Sequence, residues 1–298
     1  MRLATTLLLC LCTLLAACQT DSAGGLAALS SVRPDEAAEE KFVPETVSIA
    51  PTQKVDIYRP DKPAGGLFAL AAKQPEKPVV LYVHGGGWIK GERDRVYHLP
   101  AWAKERGYVL VSIDYRPVPK TNIDGQVEDV VRAINWTRNH ISTYGGDPSR
   151  IVIMGHSAGS HLVSMVAAKK LGGNIRGVVA NDVQAYDLAE YYRLRNNSHA
   201  GVYRAAFGTN RADWARWSPM TWVKQNSGFP PFLILHSRSD GERRKKLAND
   251  FAAALRAKGT LVTVFDGKNY THGSIASRIG PSAEVTRAVD RFVAAVIR

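Results

Sequence analysis

The chain has 298 residues, of which 45% are hydrophobic and 22% charged, and its formal net charge is +12. This composition is ordinary for a globular protein, and the length favours one large α/β domain, because no repeat, low-complexity tract or central polar linker divides the chain. All three cysteines (Cys10, Cys12 and Cys18) precede the regular part of the sequence. That part therefore cannot form a disulfide, a thiolate nucleophile or a cysteine metal site.

Residues 1–17 have the layout of an export signal. Arg2 gives a positive start, and residues 3–17 form an apolar run too short to span a bilayer comfortably. The stretch Leu15-Ala16-Ala17-Cys18 resembles the lipobox of bacterial lipoproteins, and this resemblance implies a mature chain that begins at Cys18 and carries lipid there. An ordinary cleaved signal with a chance cysteine is the alternative.

Residues 18–45 are rich in Ala, Ser, Glu and Pro, and this composition predicts a flexible, lipidated tether before a folded domain at 46–298. We therefore expect a protein exported to the bacterial cell envelope and held at a membrane by its N-terminal lipid. Gln19 stands where an Asp would indicate retention at the inner membrane, which favours the outer membrane.

From residue 46 onwards, short apolar runs rich in β-branched residues alternate with longer amphipathic stretches. Predicted strands cover 55–58, 79–83, 108–113, 151–154, 175–180, 231–235 and 261–265, and predicted helices cover 93–106, 126–141, 157–170, 243–258 and 282–297. This alternation indicates the α/β class, with a mostly parallel twisted sheet and helices on both faces. Ligands of such sheets bind beyond the carboxyl ends of the strands.

The segment 187–228 interrupts the alternation and predicts a small cap-like insertion. Its rings either form a lid over a pocket or pack the insertion onto the domain, and both can hold at once. The seven aromatic residues are Tyr191, Tyr192, Tyr203, Phe207, Trp214, Trp217 and Trp222.

The basic side chains are scattered, apart from the run Glu242-Arg243-Arg244-Lys245-Lys246 at the start of a predicted helix. We interpret this run as a solvated helix face, with attraction to an anionic membrane or polysaccharide as the alternative. Nucleic acid is not an expected partner.

The stretch Gly155-His156-Ser157-Ala158-Gly159 follows a predicted strand and fits the pattern G-x-S-x-G. Between a strand and a helix, this pattern is typical of a nucleophile elbow, whose glycines allow a turn that projects the serine hydroxyl. The amides at the start of the next helix face the same point. Ser157 is therefore the candidate nucleophile, and a simple strand-to-helix turn is the alternative.

A serine hydroxyl needs a base to take its proton. Among the eight histidines, His272 has the expected position, because it follows the last predicted strand and precedes the last helix. A structural loop histidine is the alternative.

The base needs a carboxylate to orient it. Asp240 follows the predicted strand at 231–235, and the order Ser157, Asp240, His272 is typical of this architecture. Asp182, just after the strand at 175–180, is the rival acid, whereas Asp187 is expected to cap a helix.

Three glycines, Gly85-Gly86-Gly87, follow the strand at 79–83 and His84. Without side chains, their amides could approach an oxyanion closely. We expect Gly86, Gly87 and Ala158 to form an oxyanion hole, with His84 holding the shape of the loop. A tight turn is the alternative.

The stretch from about 55 to 297 resembles the α/β-hydrolases and is similar to the hormone-sensitive-lipase-like and kynurenine-formamidase-like esterases. The matching segments are His84 to Trp88, Asp114-Tyr115-Arg116, Tyr144 to Pro148, Gly155 to Gly159, His161-Leu162, His272 to Ile275 and Ile279-Gly280. The resemblance implies hydrolysis of carboxylic esters, or of formyl amides, without a metal or cofactor. The insertion at 187–228 matches no substrate-specific pattern.

We therefore predict a lipid-anchored serine esterase that cleaves small carboxylic esters through an acyl-enzyme. The alternatives are an arylformamidase-type amide hydrolase and an esterase for acetyl or feruloyl groups on polysaccharides. A lipoprotein that kept the fold only for binding is the non-enzymatic alternative.

Overall fold

The computed structural model describes residues 42–60, 75–196, 201–280 and 283–298. The predicted signal peptide, Cys18 and residues 19–41 of the predicted tether lie outside the described residues. Phe42 to Arg298 form one structural unit. None of the helices in the described ranges is both long enough and apolar enough to span a membrane.

In the described part of the chain, eight strands form a single sheet in the order β1-β2-β4-β3-β5-β6-β7-β8. The strands are β1 (Glu45–Ala50), β2 (Gln53–Tyr58), β3 (Lys77–Val83), β4 (Val109–Ile113), β5 (Gly146–His156), β6 (Gly177–Asn181), β7 (Phe232–Ser237) and β8 (Val262–Gly267). The pairs β1–β2 and β2–β4 are antiparallel, and all the others are parallel. The predicted mostly parallel α/β sheet is confirmed.

Helices cover both faces of the sheet. They are α1 (Leu99–Arg106), α2 (Ile123–His140), α3 (Ala158–Ala168), α4 (Leu188–Arg193), α5 (Val202–Phe207), α6 (Arg211–Arg216), α7 (Pro219–Gln225), α8 (Glu242–Ala257), α9 (Ser274–Ser277) and α10 (Glu284–Val296). The predicted insertion at 187–228 contains α4 to α7, all of them short.

Alternate residues of each central strand enter two separate cores. In β3, Val79, Leu81 and Val83 belong to the core that includes residues of α2, α3 and α8, whereas Val80 and Tyr82 belong to the core that includes residues of α1 and α10 on the other face. Successive side chains of a strand point to opposite faces, so a strand apolar at every position must be covered on both sides.

The structure shortens one predicted helix and lengthens another. The helix expected from residue 93 begins only at Leu99, because the Arg93 side chain is bound to Asp56 and Asp114 and the residues between form turns. The helix expected from residue 126 begins at Ile123, where the side chain of Asn122 accepts the amide of Gly125 at 3.2 Å.

The carboxyl ends of β5, β6, β7 and β8 lie side by side at one edge of the sheet. The segment that follows each of these strands therefore reaches the same region, where the chemical groups of the sequence converge.

Candidate active site

Ser157 lies in a sharp turn between β5 and α3. Its backbone φ is 55°, a conformation that costs energy for a residue with a side chain. A Cβ on Gly155 would lie 2.3 Å from the backbone of Gly159, and one on Gly159 would lie 2.0 Å from the carbonyl oxygen of Val83. Both glycines of the pattern are thus required by close backbone contact, and together they hold the serine in its strained position.

His272 lies within hydrogen-bond distance of Ser157. Its Nε2 is 3.0 Å from the Ser157 Oγ. Two contacts fix the backbone of His272: its amide donates to Ser239 Oγ at 2.8 Å, and its carbonyl oxygen accepts the His156 Nε2–H at 2.9 Å. Burial, with the neighbouring His272, lowers the pKa of His156 to about 4, so this ring is a neutral donor at pH 7.

The other ring nitrogen of His272 contacts Asp182. Its Nδ1 lies 2.6 Å from Oδ2 of that carboxylate, whose side chain is fully buried at the end of β6. The amide and hydroxyl of Ser237 also donate to Asp182, at 2.7 and 2.8 Å. Ser157, His272 and Asp182 therefore form a continuous hydrogen-bonded chain.

Asp240 does not take the place predicted for it. Its carboxylate, 42% exposed, accepts Gln184 at 2.8 Å and Arg244 at 2.9 Å and lies 3.3 Å from Arg243. The prediction that Asp240 orients His272 is corrected, because the carboxylate that the structure places against this histidine is that of Asp182.

The arrangement of the sheet explains this difference. Asp182 comes directly after β6, and β6 is the immediate neighbour of the strand that carries Ser157. Asp240 comes three residues after β7 and one strand further away. Both acids satisfy the chain order serine, acid, histidine, so only spatial adjacency distinguishes them.

Arg244, on α8, links the two carboxylates. Its Nη1 lies 3.2 Å from Asp182 and its Nη2 lies 2.9 Å from Asp240, and the same Nη1 is 3.4 Å from Nδ1 of His272. The interpretation of the basic run as a solvated face is therefore wrong at this position, because the side chain of Arg244 is only 7% exposed. Nothing in the run 242–246 distinguishes Arg244 from its exposed neighbours, so its role could not be predicted from the sequence.

Asp182 is held in its charged form. Burial by itself raises the pKa of this carboxyl, but the hydrogen bond with His272 and the positive charge of Arg244 outweigh burial. The net result is a pKa below the ordinary aspartate value. A charged acid at this position can stabilise an imidazolium on His272.

The three glycines form a loop beside Ser157. A Cβ on Gly85 would lie 3.1 Å from the Ser157 Cβ, and one on Gly86, whose φ is 143°, would lie 1.7 Å from the carbonyl oxygen of Lys90. Gly86 also accepts the amides of Ile89 and Lys90, so the loop is a tight turn as well as an open backbone surface. The tight turn that was the alternative is thus present, and the oxyanion-binding role of these glycines stays a prediction.

In the part of the chain that the structure describes, the amides predicted to bind an oxyanion have no other partner. Within the described ranges, the amides of Gly86 and Gly87 donate to no backbone or side-chain group. Ala158 is the first residue of α3, where an amide has no partner inside its own helix. Gly87 and Ser157 both line the cavity described below.

Contacts from two other segments fix the shape of the glycine loop. The Trp88 carbonyl oxygen accepts the Gln126 side chain at 2.8 Å and the Val118 amide at 2.9 Å. His84 donates from Nδ1 to the Gly85 carbonyl oxygen at 2.8 Å, and its ring stacks on Tyr115. The structural role predicted for His84 agrees with these contacts.

His161 joins the glycine loop to the insertion. Its Nδ1 accepts the indole N–H of Trp88 at 3.1 Å, and its Nε2 donates to the Trp217 carbonyl oxygen at 2.7 Å. Burial lowers the pKa of this ring to about 4, which keeps it neutral and able to both accept and donate. Asp187 caps α4 through its bond with the Glu190 amide, as predicted.

A cavity of about 360 Å³ opens above Ser157 and His272. The insertion supplies part of its wall: Tyr191, Tyr203 and Val202 line it beside Gly87. Other rings of the insertion pack inward, because Phe207 contacts Trp88 and Trp214 stacks on Tyr192. The aromatic residues of the insertion therefore both line the cavity and pack the insertion onto the domain, whereas the predicted lid stays a prediction.

This arrangement can carry out nucleophilic acyl transfer. A serine hydroxyl lies next to an imidazole whose other nitrogen faces a buried carboxylate, and amides that have no other partner within the described ranges lie beside the serine. Such a constellation generates a serine nucleophile and stabilises an oxyanion. The described residues contain no group of three or more His, Cys, Asp or Glu side chains that could hold a metal ion.

Comparison with known proteins gives both a family and relatives. The BD-FAE family matches residues 66–255. Esterase LipQ of Mycobacterium tuberculosis is 31% identical over 235 residues, covering 74% of this chain and 55% of that protein. Isoprenylcysteine alpha-carbonyl methylesterase ICME of Arabidopsis thaliana is 31% identical over 242 residues, covering 74% of this chain and 54% of that protein. The chain thus spans about half the length of the curated relatives that it matches.

Solved structures share the fold. A thermophilic esterase, Est2 of Thermogutta terrifontis, with propionate bound, has a TM-score of 0.64 and 20% sequence identity. The match covers 85% of this chain and 94% of that one. The α/β-hydrolase resemblance seen in the sequence is confirmed at the level of the fold.

Proposed function

This chain belongs to the BD-FAE family, and on that premise we propose that it is a carboxylic-ester hydrolase with Ser157 as its nucleophile. The observation that carries the proposal is the hydrogen-bonded chain from Ser157 Oγ through His272 to Asp182, with distances of 3.0 and 2.6 Å. The relatives named esterases support the same class of reaction.

In the first step, Ser157 Oγ attacks the ester carbonyl carbon while His272 Nε2 takes the hydroxyl proton. The resulting imidazolium keeps its Nδ1–H bond with Asp182, whose negative charge stabilises it. Because Asp182 is buried and held by Ser237 and Arg244, the ring needs little reorganisation as its charge appears.

The carbonyl oxygen becomes an oxyanion that the amides of Gly86, Gly87 and Ala158 bind. One such donor typically contributes roughly 3–4 kcal/mol to the stability of the transition state. Collapse of the intermediate breaks the bond to the alcohol oxygen, which takes the proton from His272 Nε2. An acyl group remains on Ser157.

Water then completes the cycle. His272 takes a proton from the water, whose oxygen attacks the acyl carbon, and the proton passes to the departing Ser157 Oγ. The products are a carboxylic acid and the free enzyme.

The cavity suits small esters. Its volume of about 360 Å³ is at the lower end of ligand pockets. Est2 has been solved with propionate and with butyrate bound, and these short carboxylates support the same range of acyl size for this chain.

Replacement of the nucleophile tests the mechanism. Ser157→Ala should lower the kcat for p-nitrophenyl acetate by about 10⁶-fold, because the attacking oxygen is lost. Ser149→Ala, at an exposed serine far from the cavity, is the matched control and should keep wild-type turnover. Retained hydrolysis in Ser157→Ala would contradict the proposal. A folded wild-type protein that a fluorophosphonate probe does not label would favour a binding protein instead.

We further propose that the domain at 46–298 is attached to the cell envelope through lipid on Cys18, and that 187–228 serves as its cap. The lipobox-like residues 15–18 support the anchor, and the cavity lining by Tyr191 and Tyr203 supports the cap. Metabolic labelling with a palmitate analogue tests the anchor. Label on the wild-type chain that disappears in Cys18→Ala is the expected result, and an unlabelled wild-type chain would contradict it.

A further inference from the structure

Arg195 lies on the wall of the cavity that contains Ser157 and His272. It follows the last turn of α4, where its amide donates to the Tyr192 carbonyl oxygen. Its Nη1 donates to Tyr191 Oη at 3.0 Å, and its guanidinium lies 5.6 Å from the centre of the Tyr191 ring. These contacts hold the cation in a defined position at the cavity.

The other charged side chains of the cavity are paired with opposite charges. Asp182 and Asp240 both contact Arg244, and Asp240 also contacts Arg243. Arg195 forms no ion pair within the described ranges, and its bond with Tyr191 is its one hydrogen bond through the guanidinium there. Residues 197–200, which follow it closely, are Asn, Ser, His and Ala, none of which carries a carboxylate.

Among the described residues, the positive charge of Arg195 is therefore not compensated by a carboxylate. Both carboxylates that line the cavity, Asp182 and Asp240, are paired with Arg244, and Asp240 also lies against Arg243. The insertion that carries Arg195 has six basic and three acidic side chains. An arginine with free N–H groups in a partly enclosed cavity matches a carboxylate in both charge and geometry.

Tyr191 adds a second donor at the same place. Burial raises the pKa of its phenol, so the hydroxyl stays protonated at neutral pH. Its oxygen accepts from Arg195, which leaves the O–H proton for another acceptor. Stacking on Tyr203, with ring centres 4.0 Å apart, fixes the ring.

We infer that Arg195, with Tyr191, binds a free carboxylate on the substrate, so that this enzyme prefers esters that carry a second, anionic carboxylate group. This inference rests on the proposed esterase function and names the substrate class of the same site. Because Arg195 attracts the carboxylate when the substrate binds, the preference for anionic esters should appear mainly as a lower KM.

Two pairs of isosteric esters test the inference, each with a carboxylate in one member and an isopropyl group in the other. Ethyl hydrogen succinate and ethyl 4-methylpentanoate place the group on the acyl side, and butyryloxyacetate and isobutyl butanoate place it on the alcohol side. The quantity measured is the ratio of kcat/KM for the anionic ester to that for its neutral partner. Release of acid is followed at constant pH with the full chain.

In one of the two pairs, the wild-type ratio should exceed 1, and Arg195→Gln should lower it by about tenfold, as loss of a charge-assisted hydrogen bond predicts. Arg195→Lys, which keeps the charge, should restore part of the ratio. Arg193→Gln is the matched control, because Arg193 is exposed and pairs with Glu190 in the last turn of α4, two residues before Arg195. Added salt should lower the wild-type ratio and leave that of Arg195→Gln almost constant.

Each outcome of this experiment either supports or overturns the assignment of Arg195 as a carboxylate-binding residue. Equal ratios in the wild type and Arg195→Gln for both pairs, with neutral esters still cleaved, would overturn the inference and leave the esterase proposal intact. Failure to cleave any of the four esters would overturn the esterase proposal and the inference with it. The pair that responds to Arg195 identifies the side of the ester that carries the carboxylate.

Discussion

The loops after β6 and after β7 present two aspartates that look equivalent in the sequence. Asp182 and Asp240 both have a positive φ, of 64° and 60°, and both contact Arg244. They differ in burial and in partner: the side chain of Asp182 is fully buried against His272, whereas that of Asp240 is 42% exposed and, among the described residues, hydrogen-bonds to Gln184 and Arg244 and to no histidine. Proximity to the strand that carries the nucleophile, and not chain order, selects the acid.

Replacement of each aspartate by asparagine should reveal the largest difference between the two loops, which is a difference in kcat. Asp182→Asn should lower kcat by about 10⁴-fold, because the amide cannot orient and stabilise the imidazolium of His272 as the carboxylate does. Asp240→Asn should lower it by less than about tenfold, since this partly exposed carboxylate is linked to Asp182 and His272 through Arg244 and does not bind the imidazole itself. Steady-state kinetics on p-nitrophenyl acetate measure both. An equal loss of kcat in the two variants, or a greater loss in Asp240→Asn, would indicate that Asp240, in the loop after β7, acts as the acid.

The two arginines that contact Asp240, Arg243 and Arg244, should differ in their contribution to the free energy of unfolding. Arg244→Gln should lower the free energy of unfolding by about 3 kcal/mol, because it leaves the buried Asp182 without its cation. Arg243→Gln should lower it by less than about 1 kcal/mol, because the carboxylate that it leaves, that of Asp240, is 42% exposed and keeps its pairing with Arg244. Urea unfolding at pH 7 gives both values. A cost for Arg244→Gln no greater than that of Arg243→Gln would show that Asp182 does not depend on this charge.

The β7 loop should still matter to catalysis through Ser239. Its hydroxyl accepts the His272 amide at 2.8 Å, so Ser239→Ala should lower kcat/KM by about fivefold, the equivalent of one hydrogen bond of roughly 1 kcal/mol. KM should change less than kcat if the loss acts on the position of the imidazole. An unchanged kcat would mean that His272 is held without this contact.

The smallest effect concerns the dependence of stability on pH. The pKa of Asp182 is lowered in the folded state, so its contribution is present above the ordinary aspartate value of about 4 and is lost as the pH falls through the lowered value. The free energy of unfolding should therefore fall less steeply below pH 4 in Asp182→Asn than in the wild type. Parallel curves for the two proteins would contradict this assignment.

The sequence was sufficient to predict those parts of the site whose position follows from one strand alone. The apolar run at 151–154 with its flanking glycines located Ser157, and a histidine after the last strand identified His272. The structure brings these two side chains together, at 3.0 Å. The acid could not be chosen in this way, because the order of strands in the sheet is set by packing between distant segments.

Other features that could not be predicted from the sequence also depend on packing between distant segments. The strand Glu45–Ala50 lies at the edge of the sheet and is only partly buried, so its alternation of apolar residues is weak. The burial of Arg244 depends on two carboxylates from other loops. The partners of His161, Trp88 and Trp217, lie 73 and 56 residues away along the chain.

The bridge made by His161 has a consequence for protein engineering. Since one neutral ring holds both Trp88 and the Trp217 carbonyl oxygen, residues 187–228 share an anchor with the loop that carries Gly86 and Gly87. A chimera that receives this segment from a relative would alter turnover together with substrate choice, unless the donor segment supplies a carbonyl at the same point. A chimera whose exchanged segment ends before residue 217 would keep the bond from His161 to the Trp217 carbonyl oxygen and would change only the cavity wall.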